Sequence, residues 1–210
     1  MDKKIIGLIL IIAGVTAVCT GVFFITHKNK KENSQDNTTS INNGGNTMNK
    51  DTKTIIVYYS AQNHTKNIAT KIAQNLGADI YEIVPEQIYT EDDLNWNDSD
   101  SRVSREHDDA SLRDIVLKST EVPNWSEYDT VVLGYPIWWG IAAWPTDTFV
   151  KNVDWNGKTV LPFCTSHSSS IGESDVLLKT EAKGGNWQDG FRFSQDASDE
   201  DIKTWTDSLK

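Results

Sequence analysis

Three short segments carry the side chains best suited to hold a small ligand. In Ser60-Ala61-Gln62-Asn63-His64-Thr65, hydroxyl, amide and imidazole groups stand at the expected start of a helix. Unpaired N–H groups and the positive end of the helix dipole favour an anion there, and a phosphate monoester would need no lysine. On a plainer reading, Thr65 merely caps the helix and Asn63 makes a turn. Pro136-Ile137-Trp138-Trp139-Gly140 sets two adjacent indoles on what reads as an exposed loop. A planar ligand would stack on them; alternatively, one indole belongs to the core and the other covers a helix. Thr165-Ser166-His167-Ser168 offers hydroxyls and backbone donors to the polar edge of a heterocycle, with His167 either bonded to the ligand or solvated. His64 and His107 have no metal-ligand spacing with other residues, so no metal is expected. Cys164 reads as a small buried apolar residue.

These segments need elements to position them. Thr54–Ser60 is a β-branched and aromatic run of the kind buried on both faces of a parallel sheet. Ile68, Ile72 and Leu76 then recur at helical spacing, with Ala69 and Ala73 beside them and Gly77 as the stop. A second strand is expected over Asp79–Val84, a helix over Leu112–Lys118 with Leu112, Ile115 and Val116 inward, and a third strand over Thr130–Gly134. Pro145 opens a helix through Val150, and Thr159–Cys164 reads as a fourth strand. Glu173–Lys183 reads as a helix ended by Gly184-Gly185, and Asn186–Phe193 as an irregular fifth strand. In the last helix Ser198 and Asp201 make a capping box, and Ile202, Trp205 and Leu209 share a face. Such alternation implies an α/β fold with a parallel sheet covered on both faces and ligands at the carboxyl ends of its strands.

Residues 86–110 interrupt the pattern with nine acidic and two basic residues, Leu94 and Trp96 being among their apolar members. This long excursion is either a solvated acidic flap or a docking or lid element over the site. The whole chain of 210 residues has a formal net charge of -10, which argues against nucleic acid as a partner. All eight tryptophans fall after residue 90, more than a core of this size needs.

Ile5 to Thr26 contains no charged residue, and at ~1.5 Å per residue that run is long enough to cross a bilayer core. Residues 1–26 are therefore expected to form an N-terminal membrane anchor, an uncleaved signal anchor in preference to a signal peptide cut after Val15-Thr16-Ala17 or a lipoprotein signal at Cys19. Residues 27–53 read as a flexible polar linker and 54–210 as the folded domain. The tether composition favours an extracytoplasmic domain.

Ile56-Val57-Tyr58-Tyr59-Ser60 with Thr65 and Ala69 resembles the flavodoxin signature. Gly134–Gly140, Gly157-Lys158 and Leu161–Ser166 are similar to a flavodoxin-like branch found in many anaerobic bacteria. The resemblance spans about residues 54–210. It implies a doubly wound five-stranded parallel sheet in the order 2-1-3-4-5 and an FMN cofactor. The FMN phosphate would lie in Ser60–Thr65 and its ring between loops 135–140 and 165–170. Two departures are Asn63, where the signature prefers a small residue, and His167-Ser168-Ser169, where relatives are often glycine-rich. The resulting expectation is a membrane-tethered electron carrier that docks redox proteins through basic surfaces on those partners. The alternatives are an NAD(P)H-dependent quinone or flavin reductase of the same fold and a flavin-free surface module.

Overall fold

A computed structural model describes residues 52–210. The expected anchor lies outside these residues, as does all of the linker except its last two positions. Among the described residues, no helix is long and apolar enough to cross a membrane.

Strand β1 (Thr54–Tyr58) is buried from Ile55 onward. It pairs in parallel with β2 (Asp79–Glu82) on one side and β3 (Thr130–Trp138) on the other. β3 pairs in parallel with β5 (Thr159–Ser166) and turns back antiparallel through the two-residue β4 (Ile141–Ala142). Beyond β5, two short strands share the last place: β6 (Asn186–Trp187) pairs with its start and β7 (Phe191–Ser194) with its end. The path across the sheet is β2-β1-β3-β5-β6, with β7 also on β5. The irregular fifth strand expected over 186–193 is thus two short strands. Gly190 gives its N–H to the Asp175 carboxylate at 2.9 Å, which removes that residue from the ladder.

Alternation along β1 divides the core. Ile56 and Tyr58 face the layer containing α1 (His64–Leu76) and α5 (Asp199–Ser208), through Ile68, Ile72 and Ile202. Ile55 and Val57 face the layer containing α3 (Trp144–Asn152) and α4 (Ser174–Ala182), through Phe149 and Leu178. The helix stripe predicted for α1 is buried except for Leu76, which is half-buried, and the helix ends at Gly77, whose N–H bonds Ala73 O. The Ser198–Asp201 capping box opens α5, and Ile202 and Leu209 are buried.

The structure corrects two further expectations. Residues 112–118 do not form a helix; a single 3-10 turn at Ala110–Leu112 is followed by extended chain. Leu112 and Val116 point to solvent and only Ile115 is buried. Pro85 pairs with Leu117 as an antiparallel bridge, and Glu86 N–H and Lys118 N–H bond Val116 O and Val84 O at 2.8 and 2.9 Å. Pairing with the chain after β2 therefore outweighs the local helical spacing. Second, β3 continues four residues past Gly134, so Pro136, Ile137 and Trp138 belong to a strand and not to an exposed loop.

The acidic excursion, read as either a solvated flap or a lid, is built on its own buried contacts. It contains α2 (Arg102–Asp108), and Tyr89 and Val103 are its buried apolar anchors. Tyr89 donates to Glu106 at 2.6 Å, Arg102 Nε donates to Glu106 at 2.7 Å, and the Arg102 guanidinium lies 3.9 Å from the centre of the Tyr89 ring. A buried carboxylate is affordable here because it is both paired and hydrogen-bonded.

Gly134 sits at the centre of the sheet, and a Cβ there would come within 2.3 Å of the Phe163 ring. Gly134→Ala should lower stability by about 1–3 kcal/mol through overpacking. The measurement is the urea midpoint at unchanged slope; a midpoint equal to wild type would show that Phe163 moves aside freely.

Candidate functional site

The carboxyl ends of β1, β3 and β5 lie side by side, and the three segments that follow or end them meet in one cleft of about 390 Å³. Ser60, Gln62, His64 and Thr65 line it from the first segment, Pro136, Ile137, Trp138 and Trp139 from the second, and Thr165, Ser166, His167 and Ser168 from the third. Two expected site residues shape backbone without lining the cleft. Asn63 precedes α1 with φ 67° and makes no side-chain cap, and Gly140 completes a turn with φ 83°.

At the α1 end, the first helical bond runs from Asn67 N–H to Asn63 O at 2.9 Å. The N–H groups of His64, Thr65 and Lys66 therefore have no acceptor within the helix. Thr65 does not cap that helix. Its hydroxyl lies 2.8 Å from the Thr165 hydroxyl, and both residues are buried, so one hydrogen bond ties the first segment to the third. Lys66 is paired with Glu82 at 3.0 Å.

The opposite end is aromatic. Trp138 meets Tyr59, Tyr89 and Trp144 edge-on, with ring centres 5.8, 5.2 and 5.6 Å apart. Burial pushes the phenols of Tyr59 and Tyr89 well above their usual range, and for Tyr89 the bond to Glu106 adds to this. Both stay protonated at physiological pH. Trp139 and Gly140 are the two central residues between the paired Trp138 and Ile141. Both have positive φ, 46° and 83°, as a tight hairpin of the primed type requires. A bulky residue in that conformation is strained. Contacts on Trp139 hold it there: His107 stacks at 4.5 Å and Trp144 lies nearly parallel at 6.3 Å. Of the two indoles, Trp138 is thus partly core and Trp139 is held by ring contacts on the surface.

The third segment is held from behind by a residue that the sequence reading missed. Arg192 in β7 donates through Nε to the Ser166 hydroxyl and through Nη2 to Ser166 O and His167 O, each at 3.0 Å. The Ser166 hydroxyl in turn donates to Ser169 O. Leu94, Trp96, Val103, Ser169 and Gln195 also line the cleft without having been singled out as binding residues. Leu94, Trp96 and Val103 come from the excursion, whose lid reading was the available signal; Arg192 and Gln195 had none, since only strand pairing brings them there. Cys164 is fully buried in β5, with its thiol pushed up to about 12 by burial, so it is a packing group and not a thiolate.

Hydroxyls and free N–H groups at one end and indoles at the other define the class: a doubly wound α/β domain whose strand-end cleft suits a flat ring carrying an anionic tail. The flavodoxin family profile matches residues 53–209, and the chain belongs to that family. A crystal structure from Bacteroides uniformis, provisionally described as a flavoprotein, is 40% identical over 74% of this chain and 98% of its own, with a TM-score of 0.68. A similarly described protein from Bacteroides eggerthii is 39% identical over 75% and 98%, with a TM-score of 0.67. A flavoprotein from Lactobacillus acidophilus, crystallised in complex with FMN, is 25% identical over 74% and 99%, with a TM-score of 0.53. No curated protein matches the chain.

Removing the guanidinium tests whether it holds the third segment. Arg192→Ala should speed amide hydrogen exchange at residues 166–169 while lowering global stability by only about 1–2 kcal/mol. Unchanged exchange there would mean that β5 alone fixes this segment.

Proposed function

We propose that this chain is an FMN-binding electron-transfer protein, tethered to the membrane by residues 1–26, with its folded domain on the extracytoplasmic side. The observation that carries the reading is the polarity of the strand-end cleft, hydroxyls and a helix start at one end and an aromatic wall at the other.

The residues present fit the cofactor. Ser60, Thr65 and the N–H groups of His64, Thr65 and Lys66 would take the phosphate, with the helix dipole adding to the attraction. Trp138 and Trp139 would wall the ring, and Thr165, Ser166, His167 and Ser168 would meet its polar edge. FMN supplies the redox chemistry when bound, and the protein sets its binding and electrostatics. Indoles and an acidic surround both disfavour added negative charge on the cofactor, which favours a low potential, about 59 mV for each tenfold bias in a one-electron step. A net charge of -10 supports docking to redox proteins through basic surfaces and weighs against nucleic acid. The uncharged run Ile5–Thr26 and the polar linker support the tether and its side.

The test uses the full chain, recovered from the membrane fraction after a carbonate wash and titrated with FMN by loss of flavin fluorescence. Saturable one-to-one quenching is expected, weakened about tenfold by Thr65→Ala through loss of one hydrogen bond to a charged group. Absence of quenching would sink the cofactor reading, and release by the wash would sink the tether. Electron delivery to a basic acceptor such as cytochrome c should slow as salt rises, since screening removes steering. A rate indifferent to salt would remove the docking claim.

A further inference from the structure

Trp96 differs from every other indole in the chain. The other seven tryptophans each contact another aromatic ring, whereas Trp96 has no such contact among the described residues and is 69% exposed. It is nevertheless presented by an ordered segment. Trp96 N–H bonds Leu94 O at 2.9 Å, Leu94 N–H bonds Thr90 O at 3.1 Å, and Val103 N–H bonds Asp93 O at 2.9 Å. The Thr90 N–H and hydroxyl both donate to the Asp93 carboxylate, at 2.9 and 2.8 Å, while Asp93 N–H bonds the Thr90 hydroxyl. Behind this turn, Val103 is buried and Glu106 is fixed by Tyr89 and Arg102.

Leu94, Trp96 and Val103 line the same cleft as Trp138 and Trp139. Within five positions of Trp96 stand Glu91, Asp92, Asp93, Asp98 and Asp100; of the bases beside them, Arg102 is paired with Glu106 and Arg105 acts on the Asp93 carboxylate, which leaves the acids in excess. An exposed, unpartnered indole in a collar of carboxylates attracts flat rings by stacking, and cationic ones further through the negative ring face and the acids around it. The same collar repels polyanions.

We infer that Leu94 and Trp96, backed by the buried Val103, form a second ring-binding ledge on the open side of the cleft, selecting a flat aromatic molecule that carries no negative charge. The assignment rests on the flavin reading, because FMN seated on the three strand-end segments leaves this wall facing the bound ring. The ledge names the class of small reaction partner: neutral or cationic planar aromatics are admitted, and dinucleotides such as NADPH are turned away.

The test follows the methyl resonances of Leu94 and Val103 in the FMN-loaded full chain during titration with one two-ring frame in three charge states, N-methylquinolinium, quinoline and quinoline-6-sulfonate. Shifts are expected with the first two. The cation should bind at least tenfold more tightly than the sulfonate at low salt, with the difference shrinking at high salt as the carboxylates are screened. NADPH should leave both resonances in place. Trp96→Ala should abolish the ring-induced shifts while FMN affinity stays within about threefold of wild type. Equal binding of the sulfonate or of NADPH overturns the inference, as does a Trp96→Ala chain that still binds the quinolines. Loss of FMN affinity in that variant also overturns it, by assigning Trp96 to the cofactor. Should the wild-type chain take up no FMN, the flavin reading fails separately, and the same ring titration of the FMN-free chain still decides whether the ledge exists.

Discussion

The molecule depends on the close fit of Phe163 over Gly134. These residues are register partners in the parallel β3–β5 pair, and Gly134 also pairs with Tyr58 of β1. A side chain on Gly134 would occupy the space of the Phe163 ring. Phe163 continues into an aromatic cluster with Phe193 and Trp205, with ring centres 5.8 and 6.1 Å away, which seats α5 on the sheet. The same register makes the carboxyl ends of three strands adjacent, so residues 60–65, 136–140 and 165–168 form one cleft. Fold and site therefore share one constraint, and the Thr65–Thr165 hydroxyl bond closes it at the cleft floor.

The excursion shows how a strongly acidic segment can be an ordered wall. Most of its carboxylates remain in water and cost little, and the one that is buried, Glu106, is met by Arg102 and Tyr89. Tyr89 then packs against Trp138, so the ordering of the excursion and the shape of the aromatic end of the cleft are linked. His107 extends the link to the surface by stacking on Trp139, which helps offset the left-handed conformation that the hairpin imposes there. The acids that remain face solvent.

Much of this was legible in the sequence because it is local. β-branched runs marked β1, β3 and β5, helical spacing marked α1, and the capping box marked the start of α5. Twelve of the fourteen residues singled out for binding line the cleft because each lies at the end of a strand, where a parallel sheet must put its ligand. Reading 112–118 as a helix failed because Leu112, Ile115 and Val116 satisfy a helical pattern, while the bridge to residue 85 and the bonds to residues 84 and 86 come from chain distant in sequence. Arg192 was invisible for the same reason: nothing near it in the chain marks it, and only the pairing of β7 with β5 puts it behind Ser166.

By itself the sequence determined the alternation of strands and helices, the three strand-end segments and the acidic balance, since each follows from backbone preference, periodicity or counting. The tertiary structure alone decided that the excursion walls the cleft, that Trp138 and Trp139 play different parts, that Thr65 bonds Thr165 and does not cap its helix, and that the last strand is broken at Gly190. Each of these depends on which distant groups compete for one hydrogen bond or one volume, and residue spacing carries no record of that competition.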